Sequence, residues 1–547
     1  MIQFEGLEEN FQFLVVEVQS QLQRTFRYLA GPDHSQYRRI VDKDDYIDHL
    51  KTLIENKCFA KIHTDRSLQI KQVNLCQAMQ KICVNLERIA DFCVNVARQT
   101  NYLSDTSFIT QAEYMDLFFE AQQSLARILP VMQTQDMAGA VEICRSEMRM
   151  DQLYKRGFDR IMENLREGRE VENHITLLFI LRYLERIGDS LLNIGEAIIF
   201  GILGEKIKID QFESLNKSLS DTGFAQNMKD VDFQGIWGTR SGCHMGRVAP
   251  KDDPKGAEET GRLYKEGVKA KIAREKANLE HWEKLAPGLV PHVYNYSEEE
   301  DKACLLVEFL SGSSLDEIIL GADTNLLETA AEKLRETIGR VWTSTKESGK
   351  VTLSYMAQVA ERMDSILQMH PDFFRHTRTI GGKVVESTQD LIQHCEEIEK
   401  QIPAPFSVFI HGDFNVNNMV FNPNTQKIHY IDVYRSRRYD YIQDASVFLL
   451  SNFRMPVFEE ALRSRLNGII EDFYEFFKSF AEDQGDATFQ ARMALALARS
   501  FLTSTRFELH AKFAKEMFLR AHFLMEKLTV QKGHWEEFSL PMDILFY

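Results

Sequence analysis

No two of the eight cysteines (Cys58, Cys76, Cys83, Cys93, Cys144, Cys243, Cys304, Cys395) form a CxxC pair, and the opening MIQFEGLEENF has no basic segment followed by an apolar one. Both absences point to a reduced, cytoplasmic setting without a secretion signal. Positive charge is also in short supply, since 65 Lys and Arg against 81 Asp and Glu give a formal net charge of -16. That balance argues against a nucleic-acid partner and favours solubility and repulsion from anionic membranes. Nor is there a long apolar run free of charge. The most apolar one, LLFILRYLERIGDSLLNIGEAIIFGIL, carries Arg182, Glu185, Arg186, Asp189 and Glu196, which a membrane-crossing helix tolerates only at high cost. It is expected to be a bundle helix. From about Glu8 to Ile207 prolines are few and no alternating strand pattern is evident, which leaves an all-helical region.

What is present suits a soluble globular chain: 44% hydrophobic and 27% charged residues over 547 positions, enough for about three or four packing units. Residues 1–213 read as helical, and the polar stretch 214–232 (SLNKSLSDTGFAQNMKDVD) as a linker. Glycines and short apolar runs then mark strands and turns over 233–312, with the helix KIAREKANLEHWEKL among them. Residues 313–547 are mostly helical, interrupted by one hairpin.

The helical region repeats itself. LERIADFCVNVA at Leu86 aligns with LERIGDSLLNIGEA at Leu184, so that Glu87, Asp91 and Asn95 correspond to Glu185, Asp189 and Asn193. Spacing of i, i+4 and i+8 makes one polar stripe on each helix. Upstream, Asp44 with Asp48 and Glu147 with Asp151 add a carboxylate pair to each copy. Such acids can converge on a cation, or they can solvate a helix face and pair with Arg88 and Arg186. The paired LERIxD copies resemble the PhoU family over roughly Phe11 to Ile207. The resemblance implies tandem three-helix bundles, a role in phosphate-uptake regulation with phosphate-signalling proteins as partners, and iron or zinc held by Glu87, Asp91, Glu185 and Asp189 with Asp44, Asp48, Glu147 and Asp151. Asn95 and Asn193 stand where some members have another acid.

A second constellation lies between His411 and Asp440, in HGDFNVNNMVFNPNTQKIHYIDVYRSRRYD. FSVFI reads as a strand entering His411, MVF and IHYIDV as two more, and NPNTQ as their turn. A turn centred on Thr425 pairs Phe421 with His429 and sets Asn418 opposite Asp432, within about 4.5 to 5.5 Å at Cα. An amide oxygen and a carboxylate so placed can share one magnesium, with Asp413 free to accept a hydroxyl proton. These are the parts phosphoryl transfer uses. HGD, five residues from D to N, then ID resembles the aminoglycoside phosphotransferase (APH) family of kinase-like enzymes. The resemblance implies an α+β bilobal protein-kinase-like fold after the helical bundles. It gives Asp413 as catalytic base, His411 as brace of the catalytic loop, Asn418 and Asp432 as magnesium ligands, and Asp440 and Asp444 as anchors of the larger lobe.

A kinase fold also needs a smaller lobe for ATP. WGTRSGCHMGRV, with Gly238, Gly242 and Gly246, offers a turn over the phosphates, although its spacing is not GxGxxG. Lys265 at a strand end and Glu275 at a helix start suit the ion pair that positions ATP phosphates; Lys269 and Lys271 are rivals, and a solvated basic run is the plain alternative. CLLVEFLSG reads as the hinge strand, with adenine bonded to backbone around Glu308 and Leu310. Arg435, Arg437 and Arg438 crowd the loop before Asp440, where they either pair with Asp440 and Asp444 or meet an anionic acceptor. The expected function is ATP-dependent phosphorylation of a small-molecule hydroxyl, linked to phosphate or metal status by the helical domain. The rival expectation is a phosphate-signalling regulator that binds nucleotide without useful turnover. A homodimer is left open.

Overall fold

The computed structural model describes residues 6–65, 67–108, 111–225, 231–236, 243–250, 261–321, 323–373 and 376–547. The chain divides into two compact units, residues 1–239 with 244–252 and residues 240–243 with 253–547. Among the described residues no helix is long and apolar enough to cross a membrane.

The first unit is built on α1 (Leu7–Ala30), α2 (His34–Thr64), α3 (Ile70–Gln99), α4 (Gln111–Thr134), α5 (Met137–Arg166) and α6 (Val171–Leu203). The first three pack on one another, the second three likewise, and α3 lies along α6, so the expected tandem three-helix bundles form. The cause is apolar spacing: Ile82, Leu86, Ile89, Cys93 and Val96 on α3 are buried at intervals of three and four residues, which gathers them on one face. Asp33 and Asp136 cap α2 and α5 by accepting the N–H of Ser35 and Ala138, filling donors the first turn leaves open. At Gly195 of α6 an added Cβ would lie 2.3 Å from Cys144 Sγ, so glycine sets the close approach of α5 to α6.

The stretch read as a linker from Ser214 begins as helix. α7 (Ile209–Asp221) buries Phe212, Leu215 and Leu219; these apolar residues, spaced by three and then four, suffice for one packed face although the stretch is otherwise polar. Strands β1 (Val231–Ile236) and β2 (His244–Pro250) pair antiparallel, with Gly235 opposite Gly246. Gly246 is therefore a strand residue and not part of a turn over phosphates. Its missing side chain accommodates the Phe233 ring, 2.2 Å from where a Cβ would be. Gly238 and Gly242 lie outside the described residues.

The second unit begins with β3 (Arg262–Val268), β4 (Val293–Glu299) and β5 (Lys302–Glu308), in the order β3-β5-β4 and antiparallel, with helix Lys269–Leu285 beside them. Trp282 of that helix is fully buried in the core. Four short strand groups follow: β6 (Ser313–Ser314), β7 (Glu347–Val351), the ribbon β8 (Arg378–Ile380) with β9 (Lys383–Val385), and β10 (Ala404–Ile410). The hairpin of β11 (Met419–Asn422) and β12 (Lys427–Tyr430) carries β6 on its open side, and β10 lies between β7 and β13 (Arg437–Tyr439). Helices Thr324–Thr345, Ile442–Phe453, Glu460–Asp483, Phe489–Thr505 and Ala511–Gln531 enclose these strands in one apolar core. The unit thus has the α+β kinase-like composition expected of it.

Inside that core sits a charge cluster. Arg492 is fully buried, with Nη1 2.6 Å from Asp440 Oδ2 and Nη2 bonded to Asp486. Tyr355 and Tyr441 donate to Asp440 and Asp486 at 3.0 and 2.7 Å. Burial pushes the Asp440 carboxyl up, and Arg492 opposes that shift. Asp440 is thus an anchor of the large lobe, with a partner 52 positions further along the chain. Arg492→Ala leaves two buried carboxylates without their counter-charge, an error that costs about 3–5 kcal/mol in comparable sites. The urea midpoint of the second unit in the full chain should fall accordingly; an unchanged midpoint would show that the pair contributes nothing net.

Candidate active site

The loop after β10 is held by Asp444. Its two oxygens accept the N–H groups of His411 at 2.7 Å and Gly412 at 2.8 Å, so the turn's donors are satisfied from below by one side chain. Gly412 has φ 84°, and a Cβ there would lie 2.4 Å from the carbonyl oxygen of Arg435; glycine alone fits both demands. His411 is buried, and burial pushes its pKa down. Its Nε2 lies 2.9 Å from the Ile431 carbonyl and its Nδ1 3.3 Å from the Asp413 N–H. A carbonyl only accepts and an N–H only donates, so the ring is the neutral Nε2–H tautomer. It braces the loop.

Asp413 is displayed beyond that brace. Asn415 Nδ2 donates to its Oδ1 at 2.6 Å, and Arg435 Nη1 lies 3.1 Å from its Oδ2. Asn418 ends a short 3-10 turn and donates through Nδ2 to the Asp413 carbonyl at 2.9 Å, which leaves its own carbonyl oxygen for another partner.

The hairpin register differs by one from the expectation. Phe421 faces Ile428, His429 faces Val420, and Ile431 N–H donates to the Asn418 carbonyl at 3.0 Å. Asn418 is therefore opposite Ile431, and Asp432 lies one residue past it. The reason is the turn: the Asn422 side chain accepts the N–H of Asn424 and Thr425, and Gln426 takes a positive φ of 53°, which centres the reversal half a residue earlier than Thr425. The strand stops at Tyr430, and Asp432 adopts φ 58°, ψ 46°, a left-handed conformation that Asp tolerates better than most residues.

There Asp432 meets Lys265. Nζ lies 2.9 Å from Asp432 Oδ1 and 2.7 Å from Glu275, and Lys265 is 5% exposed. Burial raises the Asp432 pKa, but Lys265 outweighs it and holds the carboxyl below its ordinary range. Lys269 pairs with Glu298 at 2.5 Å and Lys271 lies over the Tyr434 ring, so neither rival takes the position of Lys265. The helix bearing Glu275 also reaches the loop: Asn278 donates to the carbonyls of Val433 and Ser436, and Trp282 Nε1 to Ser436 Oγ, which donates to the His411 carbonyl. Sequence reading missed Asn278, Trp282 and Ser436. A polar residue four positions before a tryptophan on a helix was the only local signal.

An Asp–amide pair beside a lysine–glutamate ion pair fits magnesium nucleotide: Asp432 is ionised, Asn418 keeps an oxygen free, and Lys265 supplies a fixed positive charge. Of the two hinge positions, Glu308 gives its N–H to the His292 carbonyl at 2.9 Å. Leu310 lies in irregular backbone past the strand end. Of the two readings of the loop arginines, pairing with Asp440 or Asp444 is not seen among the described residues, because Arg492 and the loop N–H groups already occupy those acids. Arg437 lies over the Tyr439 ring, and Arg438 pairs with Glu347 at 2.8 Å.

The duplicated acids of the first unit do not assemble as expected. Lys51 Nζ sits 2.6 Å from Asp48 and 3.0 Å from Glu87, and Arg182 and Arg186 pair with Glu185 and Asp189 at 2.8 and 3.1 Å. Burial, then the charges of Asp91 and Glu87, push Asp44 up to about 6. Burial also raises Glu147, with Asp151 and Asp189 adding to it. Among the described residues no group of three or more His, Cys, Asp or Glu is placed to hold a metal, so the donor set does not fit an iron or zinc cluster. Basic side chains offset the repulsion at Asp48, Glu87, Glu185 and Asp189, whereas at Asp44 and Glu147 it appears as a raised pKa.

A family model of the PhoU domain matches residues 14–100 and 115–198, and one of the phosphotransferase enzyme family, APH, matches residues 260–477. The phosphate-specific transport system accessory protein PhoU homolog of Clostridium acetobutylicum is 27% identical over 184 residues, 33% of this chain and 84% of its own. That of Zymomonas mobilis is 30% identical over 189 residues, 34% of this chain and 79% of its own. Among solved structures, the Plasmodium vivax ethanolamine kinase aligns over 59% of this chain and 89% of its own at 10% identity, with a TM-score of 0.37.

Burial pushes the Asp444 carboxyl up to about 7, against the two loop N–H groups that favour its charge. A carboxyl raised in the fold favours folding most below its unfolded pKa, near 4, and loses that contribution as pH rises through about 7. Full-length protein should therefore lose stability relative to Asp444→Asn between pH 5 and 8 in urea titrations. A stability difference that stays constant over that window would show that Asp444 is ionised throughout.

Proposed function

We propose, for a chain that belongs to the PhoU family through residues 14–198 and carries an APH phosphotransferase domain over residues 260–477, that it transfers a phosphoryl group from ATP to the hydroxyl of a small molecule. The observation that carries this reading is the buried Lys265 ammonium bonded to both Glu275 and Asp432 in the unit whose loop displays Asp413. Bound magnesium nucleotide supplies the phosphoryl group and the cation that neutralises its developing charge. Asp432 and the free oxygen of Asn418 hold that cation, and Lys265 holds phosphate oxygens once they draw it from Asp432. Asp413 orients the acceptor hydroxyl and takes its proton as the oxygen bonds to the terminal phosphorus and the bond from that phosphorus to ADP breaks, ADP leaving. His411, Asp444 and Gly412 keep the loop still while this happens. The helical unit links the activity to phosphate status, with phosphate-signalling proteins as partners, in the reducing cytoplasm.

One observation favours a second reading, a regulator that binds nucleotide without useful turnover: both Asp413 oxygens are engaged, by Asn415 and by Arg435. A base in that state is available only once Arg435 finds another partner.

Asp413→Asn keeps the shape of the side chain and removes the proton acceptor. It should retain nucleotide binding and lose about a hundredfold or more in turnover, the usual contribution of a positioned base. Asp432→Ala should weaken magnesium-nucleotide binding as well. Both follow from ADP release and nucleotide titration of the full-length protein. Undiminished transfer in Asp413→Asn would remove Asp413 from the mechanism, and turnover by neither wild type nor variant across a broad set of alcohols would favour the second reading.

A further inference from the structure

Asp413 faces the charge of four arginines: Arg435 touches it, and a hydrogen-bonded run from Arg499 through Ser500, Ser446 and Gln443 ends on the Gly412 carbonyl of its loop. Arg435 lies 3.1 Å from its carboxylate, with its side chain 42% exposed. Arg362 precedes helix Met363–Met369, Arg499 lies within helix Phe489–Thr505, and Arg506 follows that helix directly. Gln358 ties two of them together: Arg362 Nη1 donates to its backbone carbonyl at 2.7 Å and Arg499 Nε to its Oε1 at 3.1 Å.

The four charges act on one another. Burial and then the positive charge of Arg435 push the Arg362 pKa down; burial and then the charges of Arg362 and Arg435 do the same to Arg506. Asp413 acts on Arg362, Arg499 and Arg506 alike, each time as a minor opposing charge. The other acid at hand is Glu361, 3.9 Å from Arg362 and 73% exposed. Arg499 is 7% exposed, and among the described residues its guanidinium bonds to the neutral Gln358 and Ser500 and lies over the Tyr355 ring. Among the described residues, Arg506 Nε and Gln358 Nε2 are buried with no hydrogen-bond partner.

Elsewhere this chain pairs buried charge with care, as Arg492 and Lys265 show. Here the guanidinium groups outnumber the acids near them, Asp413 and Glu361. Like charges held together are costly unless water or an anion offsets them, and guanidinium forks match phosphate and carboxylate oxygens in shape as well as charge. We infer that Arg362, Arg435, Arg499 and Arg506 form the acceptor subsite and that the acceptor is an alcohol bearing a phosphate or carboxylate group. The inference rests on the phosphotransferase reading for its link to turnover. It also supplies what that reading needs. An acceptor anion draws Arg435 away from Asp413, so the base is freed only when the molecule carrying the hydroxyl has arrived.

The test uses full-length protein with three classes of alcohol: glycerol 3-phosphate and similar phosphate esters, glycerate and similar carboxylates, and cationic alcohols such as choline and kanamycin. ADP release is measured for each, and binding of the same probes by calorimetry with a non-hydrolysable ATP analogue present. Turnover is expected for an anionic class, and which class responds identifies the anion. Arg362→Gln and Arg506→Gln should each raise KM for that acceptor at least tenfold, with kcat and nucleotide affinity little changed, and Arg506→Lys should recover part of the loss. A cationic alcohol that outperforms every anionic one overturns the inference and leaves the phosphotransferase standing. So does an anionic acceptor whose KM is the same in both glutamine variants. If nothing turns over but an anionic alcohol binds, and binds tenfold more weakly to the variants, the subsite stands and the phosphotransferase reading falls. Absence of binding by every anionic probe overturns the subsite.

Discussion

The second unit depends on one buried ammonium. Lys265 Nζ joins three elements that are far apart in the chain: its own strand, the helix of Glu275 and the turn of Asp432. Burial works against the charge, and the two carboxylates more than offset it. Each carboxylate needs the lysine in turn, since either one alone in that environment would be driven to protonate. The position of Asp432 is thereby fixed by charge balance as much as by the hairpin. The same helix fixes the loop of His411 through Asn278, Trp282 and Ser436, so nucleotide-side and acceptor-side groups share one support.

Comparison with the first unit shows what burial decides. Lys51 also stands between two acids, Asp48 and Glu87, yet Asp48 is 58% exposed. An exposed pair of that kind contributes about 0–1 kcal/mol, whereas breaking a buried one costs about 3–5 kcal/mol. A lysine set between two carboxylates therefore serves as part of a polar face in one unit and as a structural lock in the other. Spacing along a sequence does not distinguish the two, because it carries no record of what packs above the acids.

That limit explains which features could be read in advance. The helical repeats announced themselves because i, i+4 periodicity is a local property, and the loop from His411 to Asp432 because its parts lie within 22 residues. The hairpin register slipped by one because Asn422 bonds two turn N–H groups, a preference that a symmetric reading of NPNTQ overlooks. Arg362, Arg499 and Arg506 carry no sequence signal at all. They come from two separate helical segments and matter only because folding brings their charge to bear on Asp413. Of the two readings of the repeated acids, pairing with Arg186 was visible as an i, i+3 neighbour of Asp189, whereas Lys51 reaches Glu87 from another helix, which the stripe of carboxylates does not reveal.

Gly412 touches none of the groups assigned to nucleotide or acceptor, yet it stands where the backbone of the Asp413 loop passes the carbonyl of Arg435. In a survey of random variants such a site would score like a catalytic residue, intolerant of every replacement, alanine included. The intolerance is steric and conformational, so chemical rescue with small bases or altered pH would restore nothing there, whereas a lost carboxylate at Asp413 is open to such rescue. Two neighbouring positions with the same loss of growth would thus separate under added formate, one as a reagent and the other as a hinge on which the reagent is mounted.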